Sequence, residues 1–228
     1  MIVVITGGSR GIGKNIVKNL LKKKIKVINI SRSKCSLDDV KNYKCDISDY
    51  EEVKNIFKKI KNFDVLINNS GISKFDNNNI NTFNKIVDIN LKGLFYCSIE
   101  AFKKLKKKNN ASIINICSIN AHQAFPNNPG YVASKGGVLS LTRSLALDFS
   151  KYKIRVNSVS PGYIKTNMTK KSFKSRKNFN ERKNRTMLNR WGKSDDLFGI
   201  IEYLISKKSS YTTGQDFVID GGWLSKGL

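Results

Sequence analysis

Acids, proline and histidine are scarce in this chain. Asp and Glu number 17 against 42 Lys and Arg, there are three prolines, and the sole histidine is His122. Long apolar runs are missing too. None approaches the roughly 18–20 residues of a membrane span, which excludes an integral membrane helix. The four cysteines, Cys35, Cys45, Cys97 and Cys117, show no C-x-x-C spacing. With one histidine beside them they argue against a zinc or other metal site, and reduced thiols in a cytoplasmic protein are expected. Met1–Ile5 runs directly into a glycine turn at Gly7, so no signal peptide is expected.

The imbalance of charge gives a net +25, carried mostly by lysine. Basic surfaces can bind nucleic acid by releasing counterions from phosphates. Here the lysines fall in short runs at predicted helix ends, such as Lys22–Lys24 and Lys106–Lys108. Cations there complement the helix dipole. No zinc finger, RNP or basic-zipper pattern is present, so a solvated surface is the expected reading. Strongly salt-dependent retention on DNA would speak for the nucleic-acid alternative.

At 228 residues the chain suggests one domain with a real core. Residues 2–5 are a continuous β-branched run, expected as a buried parallel strand. A glycine turn follows, then a segment with Ile12, Ile16, Leu20 and Leu21 on one helical face. Strands are predicted at 25–30, 63–67, 112–117, 154–159 and 216–220, and helices at 49–60, 82–107, 130–150 and 195–206. Alternating strands and helices predict an α/β fold: a single-domain, doubly wound parallel sheet of Rossmann type with helices on both faces. Residues 167–190 stand apart as polar, basic and weakly periodic, and are expected to form a substrate lid.

Thr6-Gly7-Gly8-Ser9-Arg10-Gly11-Ile12-Gly13 follows the first strand and opens the first helix. Glycines there let the backbone approach a pyrophosphate, and the helix N-terminus offers free N–H groups. NAD-binding folds usually carry an acid about 20 residues further on for the ribose 2′-OH. This chain has Ser31-Arg32-Ser33 instead. Arg32, joined by Arg10, suits a 2′-phosphate, so NADP(H) is expected over NAD(H).

Tyr131 and Lys135 are four apart in a predicted helix and share a face. A nearby ammonium lowers a phenol's pKa, so the pair suits acid/base work on a carbonyl/alcohol couple. Ser118 ends a predicted strand, where α/β folds place their sites. Asn68-Asn69-Ser70-Gly71 ends another, and Asn90 follows in the next helix.

Taken in order with Ser160-Pro161-Gly162, these motifs make the whole chain resemble the short-chain dehydrogenase/reductase family. The resemblance implies that Tyr131 is the acid/base, that Lys135 assists it and holds the nicotinamide ribose, and that Ser118 stabilises the substrate oxygen. It implies that Asn90 holds the water linking Lys135 to solvent. Asp46 and Ile47 would contact the adenine, Asn69 and Gly71 would line the adenosine ribose, and Pro161, Gly162, Ile164 and Thr166 would border the nicotinamide. It also implies a homo-oligomer, a tetramer in most members. Two departures stand out: Ser70 replaces the more usual alanine, and the segment between the second strand and Asp46 is short.

Asn120, His122, Gln123, Phe125 and Tyr163 are candidates to line the substrate. His122 is either a ligand or a loop residue without a role. The predicted lid from Met168 to Arg190 carries nine Lys or Arg and only one acid, Glu181. That enrichment fits an acidic substrate or carrier as well as the chain's general bias. The resemblance is closest to two branches, the 3-oxoacyl-carrier-protein reductases and the sugar, polyol and gluconate dehydrogenases. Arg190-Trp191-Gly192-Lys193 and Gly221-Gly222-Trp223-Leu224 lean towards the second. The expected function is therefore NADP(H)-linked interconversion of a ketone and a secondary alcohol on a sugar, polyol or sugar acid. A 3-oxoacyl-acyl-carrier-protein reductase is the alternative. A non-catalytic nucleotide-binding or regulatory protein is the rival from another class, since fold alone does not fix function.

Overall fold

The structure is a computed structural model, and it describes residues 1–75 and 79–226. Seven strands form one parallel sheet: β1 (Ile2–Thr6), β2 (Lys26–Ile30), β3 (Val40–Tyr43), β4 (Val65–Asn68), β5 (Ala111–Ile116), β6 (Ile154–Pro161) and β7 (Asp216–Ile219). Their order is β3-β2-β1-β4-β5-β6-β7. The chain steps outwards from β1 to β3, then returns to the other side of β1 at β4. Thr6 pairs with Asn68 at that reversal, and ligand crevices open there, beyond the strand ends.

Successive strand residues point to opposite faces. On one face Val4, Leu66, Ile113 and Val156 pack against Val53 and Phe57 of α2 (Tyr50–Lys59), Cys97 and Leu105 of α4 (Gly93–Leu105), and Phe149 of α5 (Pro129–Ser150). On the other, Val3, Ile5, Ile67 and Ile114 meet Ile16, Val17 and Leu20 of α1 (Gly11–Lys22) and Ile201 and Leu204 of α8 (Phe198–Ile205). Each fully buried Leu, Ile or Phe contributes roughly 1.5–3 kcal/mol. The single doubly wound sheet is the predicted architecture. All four cysteines are free and buried in it. Among the described residues no helix is long and apolar enough to cross a membrane.

Three details depart from the pattern read in the sequence. β3 had no predicted strand. The long helix expected over 82–107 is three pieces: α3 (Ile80–Val87), a wider π-type turn at Asp88–Lys92, and α4. The predicted lid holds two helices, α6 (Lys170–Lys174) and α7 (Arg176–Arg185).

Candidate active site

Two strand ends build the glycine turn. Thr6 Oγ1 accepts the backbone N–H groups of Asn69 and Ser70, each at 3.0 Å. Asn69 Nδ2 donates back to the carbonyls of Thr6 and Gly7 at 3.1 and 3.0 Å. From β2, the buried Asn29 accepts the Gly8 N–H at 2.8 Å and donates to Ser31 Oγ at 3.0 Å. Thr6 and Asn29 were not singled out in the sequence. The signal for Asn29 was there, a polar residue inside an otherwise apolar strand.

Gly7 has φ +69°, a region L side chains rarely adopt. At Gly13 the constraint is space, because a Cβ would lie 2.3 Å from Gly7 O and 2.4 Å from Asn69 Nδ2. The helix that Gly11 opens has Arg10 at its N-cap, and no side chain caps its first turn. Uncapped amides at a helix start suit a phosphate group. Ser9 and Ile12 lie in the same turn, and Thr166 packs across it, 3.7 Å from where a Gly11 Cβ would stand. This puts Thr166 against the glycine turn, while the buried Ile164 bridges to Gly192. Gly162, after Pro161, donates its N–H to Ile219 O at 3.0 Å.

Ser31 is buried at the end of β2, and Arg32 next to it is exposed. Arg32 comes within 3.9 Å of Asp46, a loose contact between half-exposed side chains. Burial alone would raise the Asp46 carboxyl. Hydrogen bonds from Ser48 and the charges of Arg32 and Lys85 outweigh it and hold the group below its ordinary range. Ile47 is buried against the backbone of Gly93.

The candidate acid/base residues gather at the ends of β4 and β5. Lys135 Nζ donates to Ile116 O at 2.7 Å from a buried position. A side chain at Gly71 would stand 3.3 Å from Asn90 Oδ1 and 3.8 Å from Lys135 Nζ, so these three residues adjoin. Asn90 sits in the π-type turn, a feature often found at functional sites. It accepts the Ile72 N–H at 2.8 Å and donates to Ile72 O and Ser134 Oγ at 2.9 and 3.1 Å. Ser118 Oγ accepts the Asn120 N–H at 3.1 Å, and its own hydroxyl hydrogen-bonds the Tyr131 phenol.

The phenol corrects one expectation. Burial pushes Tyr131 up to about 12, and a hydrogen bond with Ser118 pulls the other way without prevailing. Burial also lowers Lys135, whose ammonium gives one N–H to the Ile116 carbonyl and lies 5.8 Å from the Tyr131 ring centroid. Desolvation dominates, and the phenol is held protonated.

His122 does not stand alone. Its Nε2 lies 2.8 Å from Asp216 Oδ2, and Asp216 also accepts from Ser158 Oγ at 2.6 Å and Ser160 Oγ at 2.9 Å. The Asp216 side chain is only 7% exposed, so these contacts compensate a buried carboxylate. Gln123 accepts from Trp223 Nε1 at 3.1 Å. Phe125 is half-buried, and Asn120 is buried beneath Ser118. Tyr163 packs between Trp191 and Trp223, with ring centroids 5.5 and 4.7 Å away.

A family model described as enoyl-(acyl carrier protein) reductase matches residues 7–224. A 3-oxoacyl-[acyl-carrier-protein] reductase FabG from Rickettsia bellii is 37% identical over 97% of this chain and 95% of its own length. Among solved structures, 4-hydroxyisoleucine dehydrogenase complexed with NADH superimposes with a TM-score of 0.94 at 34% identity, covering 99% of both chains. A gluconate 5-dehydrogenase from Burkholderia cenocepacia, in complex with NADP and tartrate, does so with a TM-score of 0.95 at 26% identity, covering 99% of this chain and 96% of that one.

Proposed function

Because the chain belongs to the short-chain dehydrogenase/reductase family and is an oxidoreductase of alcohol and carbonyl groups, we propose that it interconverts a ketone and a secondary alcohol on a small polar substrate, with NADP(H) as cofactor. The observation that carries the substrate class is the mouth of the site. Tyr163 is boxed by two indoles, with Arg182 and Arg185 stacked on the aromatic faces. Such walls suit a compact, hydroxylated or charged molecule better than an acyl chain.

In reduction the protonated Tyr131 gives its proton to the carbonyl oxygen, while the Ser118 O–H turns from the phenol to donate to the same oxygen as charge develops. In oxidation Tyr131 takes the proton back. When bound, the nicotinamide supplies or accepts the hydride at the substrate carbon. Lys135 keeps two N–H donors beyond the one given to Ile116, enough to hold ribose hydroxyls and bias the phenol. Asn90 braces the backbone after Gly71 and so sets the wall behind Lys135.

The glycine cradle, with no room for a Cβ at Gly13, and the uncapped helix start fit a dinucleotide phosphate. Arg32 supports NADP(H): no acid ends β2, and its guanidinium is held only by a 3.9 Å contact that a phosphate can displace. Replacing Arg32 with Asp should raise the KM for NADPH about 10–100-fold and leave NADH unchanged or better. An unaltered NADPH/NADH ratio of kcat/KM would remove Arg32 from the 2′-phosphate site.

A second reading, reduction of a 3-oxoacyl group on acyl carrier protein, is favoured by the 37% identity to the Rickettsia bellii reductase. An NADPH-oxidation screen of keto-sugars and oxo acids against 3-oxoacyl thioesters separates the two. The first reading expects kcat/KM to be highest among the small polar compounds. A preference for the thioesters reverses it.

A further inference from the structure

We propose that Arg182 of α7, assisted by Arg185, is the receptor for a carboxylate on the substrate, which makes the protein a dehydrogenase of hydroxy and oxo acids. This rests on the reading of the site given above and narrows its substrate class.

Arg182 and Arg185 are three apart on α7 and share one helical face. The Arg182 guanidinium lies 5.0 Å from the Tyr163 ring centroid, and that of Arg185 lies 4.6 Å from the Trp223 ring centroid. The helix itself is pinned. Phe179 stacks on Trp191 at 5.9 Å, and Trp191 Nε1 donates to Phe179 O at 3.0 Å. Trp223 in turn is tied through Gln123 to the loop that follows Ser118. A rigid set of rings thus holds Arg182 beside Tyr163, and Tyr163 lies within electrostatic reach of both Arg182 and Tyr131.

What Arg182 lacks is an adequate anion. Its side chain is only 16% exposed, and its buried Nε has no hydrogen-bond partner among the described residues. Glu181 approaches at 3.5 Å but is itself 65% exposed, where solvent screens the pair. The other polar contacts of Arg182 are to neutral groups, a hydrogen bond to the Tyr163 hydroxyl and a long one to Asn178 O at 3.5 Å. Arg190, also in the basic segment, shows the contrast: it makes a two-pronged contact with Asp196 at 2.7 and 3.1 Å and needs nothing further. A largely buried, under-neutralised guanidinium is unfavourable unless a ligand completes it. A carboxylate matches its planar fork of donors and can be held by two parallel hydrogen bonds.

Both tryptophans of the chain, Trp191 and Trp223, belong to this ring cluster. Intrinsic fluorescence therefore reports on it directly. The full-length protein is saturated with NADP+ and titrated with succinate and with its neutral isostere succinamide, at about 0.15 M salt. Succinate should bind about 10-fold tighter or better. Arg182→Gln should erase that preference, and Arg182→Lys should keep part of it. A diffuse attraction to the other cations among the 42 would survive the loss of one, so it is distinguished from a built receptor. Equal binding of the two probes by the unaltered protein overturns the proposal, as does a succinate preference that persists in Arg182→Gln. Neither result needs turnover, and the first needs no variant at all. Loss of the carboxylate preference alone leaves the dehydrogenase reading standing, whereas full activity without the Tyr131 hydroxyl would remove that reading whatever the probes do.

Discussion

Replacing Tyr131 with Phe should lower kcat by about 10²–10⁴ while the cofactor still binds, because the change deletes one hydroxyl and keeps the ring. The magnitude follows from what that hydroxyl does. With its phenol pushed up to about 12 by burial, Tyr131 is protonated throughout the neutral range, the form reduction requires. Oxidation requires the ionised form, so its rate should climb with pH while reduction should not. Stopped-flow turnover beside cofactor titration checks both halves. Activity within a few-fold of the parent would place the proton donor elsewhere. Loss of cofactor binding together with turnover would mean that the ring, and not the hydroxyl, had been disturbed.

Gly13→Ala is the second large effect, and it acts on binding rather than chemistry. The new methyl would stand 2.3 Å from Gly7 O, a backbone atom, and 2.4 Å from Asn69 Nδ2. Asn69 cannot retreat easily, because it holds the carbonyls of Thr6 and Gly7. The turn must open instead. Overpacking of this kind costs about 1–3 kcal/mol, and more where backbone has to move. If the distortion falls on the phosphate cradle, NADPH affinity should drop about 100-fold, measurable by calorimetry. A thermal unfolding scan separates this from general instability: a cofactor Kd that does not change would show that the cradle is not where the phosphates sit.

How much of this was legible in the sequence depends on how local each cause is. The turn from Thr6 to Gly13 could be read because strand, turn and helix are contiguous and the glycines have no substitute. Tyr131 and Lys135 were legible through helical spacing, and Ser118 through its place at a strand end. β3 was not, since Val40–Tyr43 lies at the sheet edge with little burial and so shows no apolar run. α7 was missed for a related reason. Arg176–Arg185 is almost wholly polar, and Phe179 holds it to Trp191 through a contact that local periodicity cannot reveal. The pairing of His122 with Asp216 spans 94 residues and depends on β7 lying beside β6. The direction of the Tyr131 shift depended on how burial compares with a nearby ammonium, a balance that spacing does not contain.

The cysteines carry a consequence of their own. Cys35, Cys45, Cys97 and Cys117 all lie inside the sheet-and-helix sandwich, and burial pushes the Cys45 thiol up to about 12 and that of Cys97 higher still. Alkylating reagents need a path to the sulfur, and the closed protein offers none to these four. Each sulfur is therefore a silent clock: its alkylation rate counts how often its own layer comes apart, Cys97 on the buried face of α4 and Cys35 on the opposite side of the sheet, so one reagent can time the two halves of the molecule separately.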